Sequence, residues 1–359
     1  MQQLRGGGAE TLVRGLCAGL VRSGTDVTVA SIYDDGLTGA QRAALGFAVV
    51  AIGRRGRGDV AFFARLVAAL RRLRPDVVHA HLHAGKYAGR FAALAAGIPN
   101  VVFTEHGEEP GGMLRGMLDR FLAPHTVRYI TFAEAQRAAL AAREGVPLER
   151  IAVIPNGVAM PPYAAREALR ASLGIPPETF AAYVPARLTA QKDQALAIRA
   201  FARRWRPDSR RRLYLAGTGP DEAALRALAT RLELGDRIVF LGYRDDAAVL
   251  ARAMDLYLMS SVWERMPLAL GEAMLVGLPV VTTPWDGVAE FVRDGETGFV
   301  ADRHDVDALA EALGRAEDAT LLATIAERAQ RFAARRFDLE RCVAAHQALY
   351  ADLTRTTAS

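Results

Sequence analysis

The chain has 359 residues, of which 51% are hydrophobic and 24% charged, a globular balance that excludes a disordered or fibrous protein. This length predicts two domains. Two cysteines, Cys17 and Cys342, are too few for a disulfide framework and favour a reducing cytoplasm. Neither a signal peptide nor an apolar run of about 18 residues is visible, so any membrane association is expected to be peripheral, at the inner face.

The net charge of +5 is unevenly placed. Residues 1–160 carry 19 Arg and Lys against 13 Asp and Glu, whereas residues 161–359 carry 26 against 27. The basic first half can face anionic lipid, an anionic acceptor or nucleic acid, although an arginine-rich genome explains it equally well. Only two of the 45 basic residues are lysines, Lys86 and Lys192.

In the first half, short apolar runs alternate with helical patterns, which indicates a parallel sheet covered on both faces. The strands are predicted at Val27–Ile32, Phe47–Ile52, Asp76–Ala80, Asn100–Thr104, Val127–Phe132 and Arg150–Ile154. The helices are predicted at Glu10–Arg22, Val60–Leu73, Lys86–Ala96 and Ala133–Arg143. No strand precedes Gly6-Gly7-Gly8. Either the domain has lost its first strand or, more simply, the true start codon lies upstream.

The alternation pauses at Pro155–Pro162 and then restarts. Strands are predicted at Phe180–Pro185, Arg212–Leu215, Arg237–Leu241, Asp255–Met259 and Pro279–Thr283. Helices are predicted at Gln194–Arg204, Asp221–Leu232, Ala247–Ala253 and Leu268–Val276, with a helical tail over Val306–Leu353. The expected fold is α/β, with two doubly wound Rossmann-like domains facing a cleft. The domains are expected at 1–160 and 161–335, and the tail at 336–359 can cross back to the first domain.

The strongest chemical signal is a pair of glutamates, Glu264 and Glu272, around the segment Met266-Pro267-Leu268. Pro267 is suited to the first turn of a helix. This layout places Glu264 in a loop after a strand and Glu272 on the following helix. The free N–H groups of that helix start favour phosphate, and a carboxylate beside them can hold sugar hydroxyls. Taken alone, a residue such as Glu272 is more often an ordinary helical glutamate.

Two further segments follow predicted strands of the second half. Arg187 and Lys192 place two cations at its first strand–helix junction, where they can bind phosphate oxygens. Because the chain uses arginine almost everywhere else, a lysine here is not expected from composition. Gly217 and Gly219 form a turn after the next strand, which lets backbone approach a ligand; a lone Gly-x-Gly is weak evidence.

Together these segments resemble the large retaining glycosyltransferase family 4 of the GT-B superfamily, over nearly the whole chain. Each segment alone is weak, but their number and order make the resemblance specific. They are Gly7-Gly8-Ala9-Glu10, Thr104-Glu105-His106-Gly107, Ile154-Pro155-Asn156-Gly157-Val158, Arg187-Leu188 with Lys192, Gly217-Thr218-Gly219-Pro220, the pair Glu264 and Glu272, Gly277-Leu278-Pro279-Val280-Val281, and Glu290 to Gly298.

The resemblance implies a role for each matching residue. Arg187 and Lys192 would bind the donor diphosphate, Glu264 the transferred sugar and Glu272 the ribose. The glycine turn of Gly7 and Gly8 would approach the phosphates, and His106 would lie near the reaction centre. One departure from the family is Arg265, which stands where glycine is usual and puts the shape of the Glu264 loop in question.

Other patterns have simpler structural interpretations. His79, His81 and His83 alternate at a strand end and could hold a metal, but more often mark a strand leaving the core. Asp305-Val306-Asp307 opens a predicted helix, where aspartates cap and complement the dipole, so we interpret it as structural. The predicted helix Val60–Leu73 carries Phe62 and Phe63 together with arginines, and Arg54, Arg55 and Arg57 precede it. It could contact anionic lipid, although packing against the sheet is the commoner use.

The sequence therefore predicts a retaining, metal-independent hexosyltransferase. Its co-substrate would be a UDP- or GDP-linked sugar, with no cofactor. Its acceptor would be a sugar, a lipid-linked glycan or a small molecule, and an anionic membrane surface is a further expected partner, whereas nucleic acid is not. A catalytically silent partner subunit and a small-molecule-tailoring transferase remain alternatives. An epimerase of the same fold would need acidic catalytic groups in the cleft, and a two-lobed receptor would need an export signal.

Overall fold

The structure, a computed structural model, describes residues 7–33, 36–56, 58–107, 112–206, 208 and 210–358. The chain forms two compact units. Unit 1 comprises Met1–Val158 together with Asp338–Ser359, and unit 2 comprises Ala159–Phe337. Among the described residues, no helix combines the length and the hydropathy needed to cross a bilayer.

The strands of unit 1 are parallel and form two sheets, one in the order β1-β2 and one in the order β3-β4-β5-β6. All six lie at the predicted positions, shifted by one or two residues at their ends. They are β1 Thr28–Ser31, β2 Ala48–Ala51, β3 Val78–His81, β4 Val101–Thr104, β5 Arg128–Thr131 and β6 Ile151–Val153.

Helices cover these sheets on both faces. They are α1 Gly8–Arg22, α2 Gly39–Ala43, α3 Ala61–Leu73, α4 Leu82–Ala84, α5 Arg90–Ala96, α6 Met113–Leu122 and α7 Glu134–Glu144. Leu66 and Leu70 of α3 pack with Ala92 of α5 and with Val101 on β4. The helix predicted at Lys86–Ala96 begins earlier, and a π-helical turn over Gly85–Gly89 separates α4 from α5. The predicted lack of a first strand concerns residues 1–6, which lie outside the described residues.

Unit 2 contains one parallel sheet in the order β12-β11-β10-β7-β8-β9. Its strands are β7 Phe180–Pro185, β8 Arg211–Ala216, β9 Ile238–Gly242, β10 Leu256–Met259, β11 Val280–Thr282 and β12 Phe299–Val300. From β7 the chain builds the sheet first in one direction and then in the other. The strand order therefore reverses between β7 and β10, which is where open α/β sheets bind ligands. The predicted doubly wound class is confirmed.

The helices of unit 2 fill the crossovers and end in a pair beyond β12. They are α8 Arg166–Ser172, α9 Gln194–Trp205, α10 Glu222–Arg231, α11 Ala247–Leu250, α12 Leu268–Leu275, α13 Val306–Arg315 and α14 Ala319–Arg336. The tail predicted as one stretch is thus divided, and its last part, α15 Leu339–Ala358, belongs to unit 1.

Helix α15 packs on α1 and, at its start, against the segment that contains Gly157. Leu16 and Leu20 of α1 share a core cluster with Val343 of α15. A Cβ atom on Gly157 would lie 2.6 Å from the Cα atom of Leu339, at the start of α15. Gly157, one of the family-like positions, therefore has a packing role: any side chain there would displace the helix.

Candidate functional site

The candidate site of unit 2 lies at the carboxyl ends of β7 and β10, on either side of the point where the strand order reverses. Lys192 follows β7 and Glu264 follows β10. The Lys192 Nζ atom donates to the Glu264 Oε1 atom at 2.5 Å, and both side chains are largely buried. The Ser261 hydroxyl donates to the same Oε1 atom at 2.6 Å. Two of the predicted residues, 72 positions apart in the chain, are thus brought together.

Three hydrogen bonds to backbone carbonyls hold these two loops against each other. The Gln191 Nε2 atom donates to the Trp263 carbonyl at 3.1 Å, and the Val262 amide donates to the Gln191 carbonyl at 2.9 Å. The Ser260 hydroxyl donates to the Lys192 carbonyl at 2.9 Å. Because the ion pair sits between loops that are tied at three points, its geometry is fixed before any ligand binds.

The loop after β8 packs on the same β7 loop through its two glycines. Gly217 has a φ of +155°, and a Cβ atom there would lie 2.0 Å from the Ala186 carbonyl oxygen. A Cβ atom on Gly219 would lie 2.1 Å from the Leu188 carbonyl oxygen. The glycines let two loops meet, and so position the exposed Arg187 between these contacts. This packing role was not part of the prediction, which assigned the glycines to a ligand.

The two helices that start at this edge differ in how their first turns are capped. The Asp193 side chain caps α9 by accepting from the Leu196 amide at 3.1 Å. Helix α12 begins after Pro267 with no side-chain cap. The amides of Leu268 and Ala269 precede the first hydrogen bond within the helix, from the Leu270 amide to the Pro267 carbonyl. They are therefore the ones available to an anion at this edge. Met266 and Pro267, the predicted lead-in to this helix, are buried.

Glu272 lies on the second turn of α12, half-buried. Burial raises the pKa of its carboxyl above the usual range, because a charged carboxylate is poorly solvated there. Arg265, the departure from the family pattern, is buried between the equally buried Glu264 and Met266. The Glu264 side chain nevertheless keeps its pairing with Lys192.

In unit 1, the predicted glycines form the start of α1. Gly7 is its N-cap residue, with an extended backbone and no side-chain cap, and Gly8 is its first residue. A Cβ atom on Gly7 would lie 2.2 Å from the Glu10 Oε2 atom, the flexible end of a side chain. The first turn of α1 thus leaves its amides free of side-chain caps, as α12 does.

His106 of unit 1 belongs to a cluster of four buried or half-buried imidazoles. This histidine cluster consists of His79, His81, His106 and His346. The His106 Nε2 and His81 Nδ1 atoms are 3.0 Å apart, so one of them donates to the other. The His79 Nδ1 atom lies 2.5 Å from the Tyr350 hydroxyl of α15.

The histidine cluster is uncharged at neutral pH. Burial lowers the pKa of His106 from 6.5 to about 4, and it lowers the pKa values of the other three as well, with mutual repulsion adding to the effect for His79 and His81. A neutral His106 can accept or donate one hydrogen bond, and the contact with His81 fixes which nitrogen faces outward.

The described part of the chain holds no group of three His, Cys, Asp or Glu side chains with the geometry for an ion. His79 and His81 do lie side by side, with ring centroids 4.0 Å apart. Asp305 caps α13 by accepting from the Ala308 amide at 2.8 Å, so the predicted structural role of this aspartate is confirmed.

The sequence did not predict the observed contacts of two residues of these sites. Ser261 received no role from the sequence, although the structure makes it the second partner of Glu264. His81 was weighed as a metal ligand, but it contacts His106. The alternation His79-x-His81 could have indicated that these two rings lie side by side, since it places both on one face of a strand.

Comparison with known proteins assigns the chain to a class. The family profile described as "Glycosyltransferase Family 4" matches residues 6–160, and the profile described as "Glycosyl transferases group 1" matches residues 165–334. The doubly wound fold, the ion pair at its reversal point and these matches define a glycosyltransferase.

The chain belongs to glycosyltransferase family 4, as the sequence motifs predicted. It is 27% identical to the UDP-Gal:alpha-D-GlcNAc-diphosphoundecaprenol alpha-1,3-galactosyltransferase of Escherichia coli, over 82% of this chain and 80% of that one. It is 31% identical to the D-inositol 3-phosphate glycosyltransferase of Acidothermus cellulolyticus, over 70% of this chain and only 61% of the relative.

A crystal structure of HepE from Anabaena in complex with UDP and glucose superimposes with a TM-score of 0.87, at 25% identity and over 98% of both chains. Sucrose-phosphate synthase from Thermosynechococcus elongatus gives a TM-score of 0.82 at 20% identity, over 98% of this chain and 94% of the other. These likenesses confirm the predicted GT-B fold.

Proposed function

We propose that this chain transfers a sugar from a UDP-sugar to a hydroxyl of a lipid-linked glycan at an anionic membrane surface, with retention of the anomeric configuration. The observation that carries the proposal is the Lys192–Glu264 pair at the point where the strand order of unit 2 reverses. UDP is favoured over GDP because HepE, similar over its whole length, was crystallised with UDP, with UDP and glucose, and with UDP-glucose.

The described contacts fit a diphosphate and a sugar side by side. Glu264 uses its Oε1 atom for both Lys192 and Ser261, which leaves Oε2 to accept from sugar hydroxyls. Lys192 has two further N–H groups for phosphate oxygens. Arg187 is exposed and forms no ion pair with the described residues, so its guanidinium can bind the diphosphate bidentately.

In the proposed reaction, the bond between the sugar C1 atom and the β-phosphate oxygen breaks and the acceptor oxygen bonds to C1 on the same face. The acceptor proton passes to the departing phosphate oxygen. Lys192, Arg187 and the uncapped first turn of α12 stabilise the charge that develops on the diphosphate. Because these groups already supply positive potential, the reaction is proposed to need no metal. His106, neutral at physiological pH, is assigned to the sugar at the reaction centre.

The acceptor is inferred from the relatives. The match to the diphosphoundecaprenol-linked galactosyltransferase covers four fifths of both chains, whereas the match to the inositol-phosphate enzyme covers less of that protein. A lipid-linked glycan is therefore the first candidate. A small anionic acceptor is the second, since the basic residues 1–160 would favour it as well.

The test is turnover with defined substrates. UDP-glucose, UDP-galactose and UDP-N-acetylglucosamine are each incubated with a GlcNAc-diphospholipid or with D-inositol 3-phosphate, and UDP release is measured. The anomeric proton coupling of the product, read by NMR, reports whether configuration is retained. Product only with the inositol phosphate would replace the first acceptor by the second. UDP binding without turnover on any acceptor would favour a catalytically silent partner subunit.

A further inference from the structure

One helix of unit 1 exposes a continuous apolar face. On α6, Met113, Leu114, Met117 and Phe121 are exposed to 87%, 70%, 63% and 54%. At about 100° per residue these four positions fall within one third of the helix circumference. No other helix among the described residues exposes more than one large apolar side chain. Isolated exposed apolar residues are ordinary for a surface, whereas a grouped set marks an interaction site.

The exposed face does not result from a loosely attached helix. On the opposite side of α6, Leu122 and Asp119 are buried, and the Asp119 Oδ2 atom accepts from the Lys86 Nζ atom at 3.0 Å. Phe121 stacks on Phe91 of α5 with ring centroids 5.8 Å apart. The helix is thus anchored through Leu122, Asp119 and one side of the Phe121 ring, while Met113, Leu114 and Met117 point away from the core of unit 1.

The charges on α6 complement an anionic partner. Its acidic residue, Asp119, is buried in the pair with Lys86, so it does not repel anions at the surface. The other charged residues of the helix are Arg115 and Arg120, and Arg120 is exposed. A helix with an apolar face bordered by arginine has the composition of one that lies in the interface of an anionic bilayer.

The surface predicted from the sequence is less suited to this role. Phe63 of α3 packs with the core cluster of Leu66 and Leu70. Phe62 lies under the Arg54 guanidinium, 4.4 Å from ring centroid to Cζ. Both aromatic anchors are therefore already engaged within unit 1, and Arg57 lies outside the described residues. The exposed apolar area is on α6 instead.

We infer that the apolar face of α6 inserts into the headgroup region of an anionic lipid bilayer and holds the enzyme at the membrane. The inference deepens the proposed function, since a lipid-linked acceptor requires the enzyme to work at such a surface, but the binding itself is independent of catalysis. Insertion buries the methionine and leucine side chains, and Arg120 adds attraction to lipid phosphates that weakens with salt.

The test is co-sedimentation with vesicles of phosphatidylcholine alone and of phosphatidylcholine mixed with phosphatidylglycerol, at low and high salt. The wild-type chain is expected to bind only the mixed vesicles. The variant Met113→Glu/Met117→Glu should bind them at least about tenfold more weakly, because it loses apolar burial and adds charge repulsion. The control is Val60→Glu, which places one glutamate charge on an 84% exposed apolar position of unit 1 and should bind like wild type; each single variant, Met113→Glu or Met117→Glu, matches it in charge and should bind more weakly than it does.

Three results would overturn the inference. If the wild-type protein does not bind anionic vesicles at low salt, it has no membrane-binding surface. If the double variant binds them as tightly as wild type does, the membrane-binding surface is not on α6. A dimer that dissociates in the double variant would show that a second copy covers the face. UDP binding by calorimetry is measured in parallel. It should be unchanged in both variants, and its absence in wild type would refute the donor site without affecting the vesicle result.

Discussion

Replacing Lys192 by methionine separates the proposed donor-binding role of the Lys192–Glu264 ion pair from its structural role. The substitution keeps the length of the side chain but removes the charge that Glu264 accepts at 2.5 Å. Two consequences are expected. UDP loses a cationic contact, and Glu264, whose side chain is only 6% exposed, keeps Ser261 as a hydrogen-bond partner but loses its opposite charge.

The two effects differ in size. A charge-assisted contact is worth about 1.5–3 kcal/mol, so the Kd for UDP should rise by roughly ten- to 150-fold. Removing one partner of a buried pair costs about 3–5 kcal/mol of stability. Because the Lys192 side chain is 19% exposed and solvent relieves part of this cost, the lower end, about 3 kcal/mol, is expected.

The double variant Lys192→Met/Glu264→Gln distinguishes these effects. A neutral glutamine needs no opposite charge, so most of the stability should return, whereas the affinity for UDP should stay low. Calorimetric titration with UDP and urea denaturation give the two quantities. The matched control is Arg199→Met, which removes one positive charge from an exposed position on α9 and should change neither.

The reasoning fails if the Kd of Lys192→Met for UDP lies within about twofold of the wild-type value, because a difference that small is within the error of the titration. It also fails if the double variant regains UDP affinity together with stability, because Lys192 would then act only by holding Glu264.

Three other predictions follow from the same structure. Activity should survive EDTA; loss on chelation, reversed by magnesium or manganese, would contradict electrostatic stabilisation by the protein alone. Gly219→Ala should cost about 1–3 kcal/mol in urea melts and weaken UDP binding, because its Cβ atom would meet the Leu188 carbonyl, whereas Gly116→Ala, with open space around it, should do neither. The lowered pKa of His106, about 4 against 6.5, means that the unfolded chain binds more protons between these values. The free energy of unfolding should be at its full value above about pH 6.5. Towards pH 4 it should fall by up to about 1.4 kcal/mol per pH unit for each imidazole; a flat profile would exclude a buried histidine cluster.

The sequence predicted the sheets well because buried parallel strands are short continuous apolar runs. β7 was placed at its observed ends, Phe180–Pro185. β12, two residues long, was too short to produce a pattern. The helical tail at Val306–Leu353 was predicted as one element, since a break such as Ala316–Asp318 carries no glycine or proline to mark it.

Helix α6 was not among the predicted helices, and the reason is physical. A helix is recognised by an apolar face that points to the core. On α6 the buried side carries Asp119, which contacts Lys86, while Met113 and Met117 face outward. Its pattern is therefore the reverse of the expected one. For the same reason, the aromatic residues of α3 were considered for the membrane although Phe63 is part of the core.

The loops of the candidate site in unit 2 were predictable because Arg187, Lys192 and Glu264 each follow a strand end, where parallel strands gather their loops. The contact between Lys192 and Glu264 was not, since only the strand order makes β7 and β10 neighbours. The tight fit of Gly217 against Ala186 likewise depends on how two loops meet, which local sequence does not encode.

The scarcity of lysine gives each unit one natural chemical reporter. Lys86 in unit 1 is paired with Asp119 and Glu144, and Lys192 in unit 2 with Glu264. Burial alone would lower the pKa of Lys86, but the two carboxylates raise it above its usual value. An amine acylates only as the free base and only when a reagent reaches it. Peptide mass spectrometry can follow how fast an amine-specific ester modifies Lys86 and Lys192. The two modification rates would report separately how often unit 1 opens and how often the β7–β10 loops open, without any engineered label.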